Sequence, residues 1–181
     1  MKIIAITTPK VTSDDLPIIR GLIGKGIDVI HLRKPDSCID ECRDLLLRLT
    51  DKERGRIVIH DYPELYDEFQ LLGIHINKNV TSFPSGYSGL RTRSCQPLEE
   101  VMTHKDEHDY LFLSPFLDSI SKQGYLSGFT HDELVRASEE GIIDRKVVAL
   151  GGVTFDKIEY LKGLGFGGAA MIGALYDTSQ I

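Results

Sequence analysis

Residues 147–173 of this 181-residue chain, VVALGGVTFDKIEYLKGLGFGGAAMIG, join two apolar runs through an amphipathic segment and two glycine-rich turns. The runs Val147–Leu150 and Ala169–Ile172 barely alternate in polarity, which is typical of parallel strands buried on both faces. Between them, Thr154 is suited to cap a helix over Phe155–Leu164, which stops at glycine. The stretch therefore predicts one complete strand–helix–strand unit.

The same alternation of apolar runs and amphipathic segments is found in the chain before residue 147. Six earlier apolar runs predict strands, at Ile3–Thr7, Asp28–Leu32, Ile57–Ile59, Gly73–Ile76, Gly89–Thr92 and Tyr110–Leu113. Amphipathic segments lie between them and begin near capping or proline residues, namely Ser13, Asp36, Pro63, Pro97 and Thr130. Strands that alternate with helices predict an α/β fold built from right-handed crossovers.

Two α/β architectures fit these strands, a closed (β/α)8 TIM barrel and an open doubly wound sheet. Polar or glycine residues follow most of the runs, which favours the barrel, because a doubly wound sheet gathers its binding residues at one switch point. The chain is shorter than a typical barrel of about 250 residues. We therefore expect a single compact domain over residues 1–181, with shortened loops and a truncated last helix. Lys78–Tyr87 is too rich in proline, serine and glycine to predict a full helix.

Composition limits the partners and the compartment. A formal net charge of −6 argues against a nucleic-acid-binding face, which is usually basic. No apolar run approaches the roughly 20 residues of a membrane helix, so we expect no membrane partner. Cys38, Cys42 and Cys95 lack metal-like spacing, and without a secretory leader they predict free thiols in the cytoplasm. Cys38 and Cys42 are expected to pack on one helix face. The sequence leaves open whether the protein forms a homo-oligomer.

The end of the second predicted strand carries cations suited to a phosphate. Alternation places His31 and Arg33 on the same side of the strand. An arginine inside a barrel needs an anionic partner, and its guanidinium fork matches phosphate oxygens. Lys34 follows directly and is a further candidate for the same ligand. For Arg33, a structural salt bridge to a carboxylate in the barrel mouth is the alternative.

His60 and Asp61 follow the third predicted strand. Asp61 is a candidate magnesium ligand, a general base or a cap for the helix that opens at Pro63, since one carboxylate with substrate phosphates can hold Mg²⁺. His60 is suited to contact a substrate ring or phosphate, or to transfer protons near neutral pH. His75 has a parallel placement in the fourth run and is at least as consistent with a buried core histidine.

Glycine-rich turns after the last two predicted strands suit a phosphate group. Gly151 and Gly152 let the backbone approach a ligand at a helix start, and Ile172 and Gly173 stand at the end of the eighth run. Turns after strands seven and eight form the usual phosphate site of a barrel. The hydroxyls and lysine of Ser119–Lys122 also suit phosphate, either in a lid or in a plain surface loop.

These residues together resemble the thiamine phosphate synthase superfamily, which includes a thiazole tautomerase (TenI-like) branch. The likeness runs from the first strand to Gly173, and its motifs are His31–Lys34, Ile59–Asp61, Gly73–Ile76, Ser94–Gln96, Asp109–Tyr110, Ser114–Phe116, Ser119–Lys122, Ala149–Val153 and Gly168–Ala174. Their order and spacing carry the resemblance, since no single motif is specific. The resemblance implies the barrel fold and an enzyme of thiamine biosynthesis.

The resemblance also implies roles for residues that this chain shares with the family. Arg33, Ser94 and Lys122 would stabilise a departing pyrophosphate, and Asp61 would bind Mg²⁺. Hydroxymethylpyrimidine diphosphate would thereby be joined to a thiazole phosphate, mainly by electrostatic stabilisation of the leaving group and by positioning. The thiazole phosphate would lie on the turn residues Gly151, Gly152, Ile172 and Gly173.

Several positions depart from the family pattern. His31 replaces a glutamine and His60 replaces an asparagine, and both would contact substrate. Val80 stands where the family has its second magnesium-binding aspartate. Pro35 stands where a second cation is expected, and Lys34 would substitute for that cation from the neighbouring position.

These departures leave two alternatives to a synthase open. A TenI-like tautomerase would transfer a proton on the same thiazole phosphate without a metal ion. The histidine that this branch uses after the sixth strand is replaced here by Ser114, so His60 or His31 would take over. A non-catalytic binder or regulator would keep the phosphate pocket without the chemistry. We expect a thiamine phosphate synthase-type transferase that acts on small phosphorylated pyrimidine and thiazole substrates.

Overall fold

The computed structural model describes residues 1–116 and 128–172, within which eight parallel strands close into a barrel. The strands follow chain order around the barrel, and the eighth pairs back with the first, Ile4 opposite Ala170. Their bounds are β1 Lys2–Ile6, β2 Val29–Leu32, β3 Ile57–Ile59, β4 Gly73–Ile76, β5 Leu90–Cys95, β6 Tyr110–Leu113, β7 Val147–Leu150 and β8 Gly168–Met171. The predicted (β/α)8 barrel is confirmed, and closure excludes the doubly wound sheet, which has open edges.

Helices connect most of the strands on the outside of the barrel. Their bounds are α1 Asp15–Gly24, α2 Ile39–Leu47, α3 Asp51–Arg54, α4 Leu65–Phe69, α5 Leu98–His104, α6 His131–Glu139 and α7 Ile158–Gly163, with short 3₁₀ helices at Lys105–Glu107 and Phe155–Lys157. Residues 77–89 form no helix, as their composition predicts. The truncated last helix was expected after residue 173, which lies outside the described residues.

Capping chemistry fixes where α2 and α6 begin. Thr130 caps α6 as predicted, because its hydroxyl accepts a hydrogen bond from the backbone N–H of the third helical residue. At α2 the prediction of a cap near Asp36 was wrong. Cys38 is the N-cap there, and its N–H donates to the carboxylate of Glu41 at 2.8 Å. The Ser37 hydroxyl instead accepts from the N–H of Val11 at 2.8 Å, which ties the start of this segment to the loop after β1.

The hydrophobic core has an outer part between strands and helices and an inner part inside the barrel. Leu32, Leu46 and Leu113 are fully buried in the outer part. The inner part comprises Ile4, Ile6, Val29, Val58, Tyr110, Phe112, Val148 and Ala170. Because side chains alternate between the two faces of a strand, burial on both faces explains why the apolar runs barely alternate in polarity.

The cysteines are free thiols, with Cys42 and Cys95 buried and Cys38 exposed. The prediction that both Cys38 and Cys42 pack on one helix face is therefore wrong for Cys38, since the N-cap position leaves it at the surface. The cytoplasmic location and the number of subunits stay predictions. No helix in residues 1–116 and 128–172 is long and apolar enough to cross a membrane.

Candidate active site

Three histidines from consecutive strands meet inside the barrel. His31 lies in β2, His60 directly after β3 and His75 in β4, and their exposed fractions are 0%, 5% and 1%. Alternation along β2 points His31 inwards and Leu32 outwards into the outer core, as the sequence predicts. Buried imidazoles are costly unless their ring nitrogens find partners, so the hydrogen bonds of this cluster decide whether it is stable.

A hydrogen-bond chain connects two of these histidines to a tyrosine. The hydroxyl of Tyr110 lies 2.6 Å from His31 Nε2, and His31 Nδ1 lies 2.7 Å from His60 Nε2. The rings of His31 and His60 meet edge-on, with centroids 4.9 Å apart. Both nitrogens of His31 therefore have buried partners, which holds this imidazole in one orientation.

His75 is held by two hydroxyl groups of β5. Its Nδ1 lies 2.8 Å from Thr92 Oγ1, and its Nε2 lies 2.8 Å from Ser94 Oγ. The Thr92 hydroxyl donates to the carbonyl oxygen of Ile74 and so accepts from His75 Nδ1–H. His75 Nε2 then accepts from the hydroxyl of Ser94. The ring also stacks on His60 with centroids 4.0 Å apart, so His75 is a satisfied core histidine in contact with the site.

Burial keeps the three imidazoles neutral. Loss of solvation lowers the pKa of His31 well below its ordinary value, and His75 lowers it further. Desolvation is also the main reason that the pKa of His60 is lowered, with smaller effects from His75, His31 and Arg33. Desolvation lowers the pKa of His75 to about 3, helped by His108. Near neutral pH the cluster therefore offers nitrogen lone pairs and N–H groups rather than positive charge.

A cavity of about 330 Å³ opens at the carboxyl ends of the strands. In the described part of the chain it is lined by Ile6, Arg33, Pro35, His60, Asp61, His75, Asn77, Lys78, Asn79, Ser94, Leu150 and Ile172. Five of the predicted site residues thus meet in one place: Arg33, His60, Asp61, Ser94 and Ile172. They lie in or directly after β2, β3, β5 and β8, so the barrel closure is what brings them together.

Arg33 and Asp61 place opposite charges on this cavity. The backbone N–H of Arg33 donates to Thr7 Oγ1 at 3.0 Å, and the Thr7 hydroxyl donates to the Arg33 carbonyl oxygen at 3.2 Å, which anchors the end of β2 to that of β1. The Arg33 side chain is exposed and forms no salt bridge with another described residue. Its guanidinium is therefore available to an anion that enters the cavity.

Lys34 is directed away from the cavity. Its ammonium lies 2.5 Å from Asp15 Oδ1 and 3.0 Å from the carbonyl oxygen of Lys10, and the side chains of the ion pair are 1% and 2% exposed. The backbone N–H of Lys34 donates to Asp61 Oδ2 at 2.8 Å. Lys34 thus forms a structural salt bridge that fastens β2 to the start of α1, whereas Arg33, for which a salt bridge was the alternative, forms none with another described residue.

The turn after β7 has a backbone shape that requires glycine. Gly151 has φ +96° and Gly152 has φ +67°, both in the left-handed region. A Cβ atom on Gly151 would also lie 3.2 Å from Cα of Pro115. Leu150, which precedes this turn, and Ile172, which follows β8, both line the cavity. Two further predicted site residues, Lys122 and Gly173, lie outside the described residues.

The hydrogen bonds of the turn after β4 determine where the side chain of Val80 lies. Asn77 Oδ1 accepts from the N–H of Asn79 at 2.8 Å and from that of Val80 at 3.0 Å, and Asn77 Nδ2 donates to the carbonyl oxygen of His60 at 2.8 Å. Val80 itself is 8% exposed and belongs to the outer core. Asp61 is therefore the acidic side chain among the described lining residues.

Sequence reasoning missed Tyr110, Thr92 and Asn77 as supports of this site. Thr92 precedes Ser94 by two positions in β5, so strand alternation already placed both side chains on the inner face. Tyr110 contacts His31 from a residue 79 positions away, which no local pattern reveals. Asn77 acts through the hydrogen bonds of its own turn, and these depend on the conformation of residues 77–80.

The fold and this site define a class: a TIM barrel with a charged cavity at the carboxyl ends of its strands, where barrel enzymes carry their chemistry. A thiamine phosphate pyrophosphorylase from Pyrococcus furiosus shares the fold, with a TM-score of 0.74 at 17% identity over 99% of this chain and 92% of that one.

The family model described as thiamine monophosphate synthase matches residues 3–175. A solved thiamine phosphate pyrophosphorylase from Bacteroides thetaiotaomicron is 39% identical, with a TM-score of 0.87 over 98% of this chain and 85% of that chain. A thiamine-phosphate synthase of the same species is 26% identical over 83% of this chain and 78% of that protein. The chain belongs to the thiamine monophosphate synthase family, which confirms the predicted resemblance and the enzyme type at family level.

Proposed function

We propose that this protein joins hydroxymethylpyrimidine diphosphate to a thiazole phosphate and releases pyrophosphate. The observation that carries the proposal is that Arg33, Asp61 and Ser94 line one cavity at the carboxyl ends of the barrel strands. A guanidinium and a carboxylate on the same cavity suit a diphosphate that arrives with a divalent cation. Family membership supports the same reaction.

The diphosphate would be held by side chains of the polar wall. Arg33 has an exposed guanidinium with no ion pair among the described residues, and it would bind the diphosphate oxygens. The Ser94 hydroxyl now donates to His75 Nε2 at 2.8 Å, and it would turn this proton towards the leaving group when the diphosphate binds. Lys122 would add a second cation. Such groups accelerate the reaction when they stabilise charge that develops on the departing pyrophosphate.

Asp61 fits a magnesium ion by the chemistry of its donor set. Mg²⁺ prefers oxygen ligands and is often held by one or two carboxylates together with substrate phosphates and water. One oxygen of Asp61 accepts from the Lys34 N–H, which orients the carboxylate at the cavity. Mg²⁺ bound there would supply positive charge beside the diphosphate. With Val80 in place of a second carboxylate, the chain would depend more heavily on the substrate's own oxygens.

The remaining steps depend on how the two substrates are positioned. The bond between the pyrimidine methylene carbon and the diphosphate oxygen breaks, pyrophosphate leaves, and the thiazole nitrogen forms the new bond to that carbon. The turn residues Gly151, Gly152, Ile172 and Gly173 would hold the thiazole phosphate through backbone N–H groups. The neutral His60 and His75 line the cavity and add no positive charge against a developing pyrimidine cation.

A metal-free tautomerase is the second candidate, because of one specific observation. His60 lines the cavity and is hydrogen-bonded to His31, which in turn meets Tyr110. An imidazole in such a chain can give up or accept a proton at the cavity and pass it inwards. The third option, a non-catalytic binder, needs only the phosphate turn.

One assay separates the three functions. Purified protein is given both substrates with and without Mg²⁺, pyrophosphate release is followed, and isomerisation of the thiazole phosphate is followed in parallel. Magnesium-dependent pyrophosphate release is the result expected for the synthase. Metal-free isomerisation would assign the tautomerase instead, and calorimetric binding of thiazole phosphate without either reaction would assign the binder.

A further inference from the structure

The histidine cluster under the cavity has the composition of a metal site. One ring nitrogen from each of His31, His60 and His75 lies within 4.8 Å of one from each of the others. All three residues are buried, and their imidazoles are neutral ligands that suit zinc, cobalt, nickel and copper rather than magnesium. Three histidines with one open position form a common type of zinc site in enzymes.

The surroundings of the cluster supply the outer hydrogen bonds that metal-bound histidines usually have. His31 Nε2 is occupied by the Tyr110 hydroxyl at 2.6 Å, and His75 Nδ1 is occupied by Thr92 Oγ1 at 2.8 Å. Such partners fix the ring and direct its other nitrogen towards the ion. The nitrogens that would turn to an ion are Nδ1 of His31 and Nε2 of His60, which now lie 2.7 Å apart, and Nε2 of His75, which now lies 2.8 Å from Ser94 Oγ.

We propose that His31, His60 and His75 bind one divalent transition-metal ion of the Zn²⁺ class under the cavity, at a position separate from Asp61. Zinc–nitrogen bonds of about 2.0–2.1 Å in tetrahedral geometry place ligand nitrogens about 3.3 Å apart. The 2.7 Å contact between His31 and His60 therefore opens slightly, and the wider separations, all within 4.8 Å, close.

Small ring rotations achieve this change. The terminal torsion of a histidine side chain is broad and easily turned. Rotation separates the stacked rings of His60 and His75, which now lie 4.0 Å apart, and turns both towards one point. Ser94 is exposed on the cavity, so its hydroxyl is free to give up His75 Nε2 to the ion and bind water instead.

The position of the ion would give it access to ligands in the cavity. His60 and His75 both line the cavity, whereas His31 lies below them, so the open coordination position faces upwards. A phosphate oxygen, a water molecule or a ring nitrogen of a bound substrate would complete the coordination. The site does not depend on the reaction proposed above, because its ligands are distinct from Arg33, Asp61 and Ser94.

Metal titration of the full chain tests the proposal. Metal-free protein is titrated with Zn²⁺ and with Co²⁺, the stoichiometry is measured by elemental analysis, and the visible spectrum of the Co²⁺ form is recorded. We expect one ion per chain, a tetrahedral Co²⁺ spectrum, and no competition from millimolar Mg²⁺. His31→Gln and His75→Gln should abolish stoichiometric binding. Tyr110→Phe should weaken it about 10- to 100-fold, the usual effect of an outer-shell partner.

Matched controls separate this site from others on the chain. His131→Gln, which changes an exposed histidine on α6, should bind as the native protein does. Asp61→Asn should keep Zn²⁺ binding while it loses magnesium-dependent activity, so failure of the proposed reaction and failure of the zinc site give different results. X-ray absorption of the native zinc form supplies a readout without variants, and three imidazoles are expected. A sulfur shell, absence of stoichiometric binding, or unchanged binding in both cluster variants overturns the proposal.

Discussion

The two halves of the barrel interior differ in what fills them. The half from β2 to β5 contributes polar side chains that bond to one another or to their neighbours, namely His31, His60, His75, Thr92 and Ser94. The half from β6 through β8 to β1 contributes mainly apolar side chains, among them Phe112, Val148, Ala170 and Ile4. The polar half depends on partners for buried groups, and the apolar half depends on volume and backbone shape.

The candidate site inherits this division. Arg33, Asp61 and Ser94 extend from the polar half, where side-chain chemistry would hold the diphosphate. Gly151 and Gly152 extend from the apolar half, where the backbone itself would hold the thiazole phosphate. Substitutions in the two halves should therefore fail in different ways, and the following predictions test that difference.

The largest effect is expected when the buried ion pair between Lys34 and Asp15, which lies next to the polar half, is broken. Lys34→Met leaves the buried carboxylate of Asp15 without its ion-pair partner, so the free energy of unfolding should fall by about 3–5 kcal/mol. Urea unfolding measures the change. Arg43→Met is the control, because its partners Asp40 and Glu68 are 80% and 41% exposed and its loss should cost within about 1 kcal/mol. If stability is unchanged and the KM is raised, Lys34 binds the substrate and does not support the fold.

Arg33→Ala should lower kcat/KM by about 100- to 1,000-fold, the usual cost of removing one group that stabilises transition-state charge. Steady-state kinetics of pyrophosphate release provide the measurement. Arg136→Ala removes an exposed arginine from α6 and serves as the matched control. A kcat/KM near the native value would show that the diphosphate lies elsewhere.

Stability of the metal-free protein should fall as pH falls, because of the buried histidines. His75 binds a proton below about 6.5 when unfolded but only near 3 when folded, so the unfolded state gains protons first and folding loses about 2 kcal/mol by pH 5. Unfolding free energies between pH 5 and 7.5 measure this slope. His75→Asn should flatten it by about one proton, and His131→Asn is the control. An identical slope in His75→Asn would contradict the neutral buried state.

The smallest effect is expected at the apolar half. Gly151→Ala forces a left-handed φ on alanine and brings its Cβ towards Pro115, so thiazole phosphate should bind about tenfold more weakly, a change of about 1.4 kcal/mol. Gly141 has φ +71°, and a Cβ added there would meet no atom within 4 Å, so Gly141→Ala shares the backbone cost without touching the site. Calorimetry compares the two variants. Equal affinities of the two variants would show that this turn does not bind the phosphate.

Local patterns predicted the barrel well because each strand is buried on both faces and most helices begin near a capping or proline residue. The bounds of β3, β4, β6 and β7 match the apolar runs. The partner of Lys34 was not predictable in the same way, since Asp15 lies 19 residues away and the contact depends on where α1 begins. The distances within the histidine cluster were not predictable either, since alternation gives the inward direction of each side chain but not the register and spacing of neighbouring strands.

The turn after β4 restricts how the site could change over evolutionary time. Asn77 bonds to Val80 at both backbone groups, through Asn77 N–H to the Val80 carbonyl at 2.8 Å and Val80 N–H to Asn77 Oδ1 at 3.0 Å. This loop turns the side chain of residue 80 into the outer core. A single Val80→Asp change would place a carboxylate among apolar side chains instead of beside Asp61. A second carboxylate beside Asp61 would therefore have to come from a position that lines the cavity, such as Asn79, and not from residue 80.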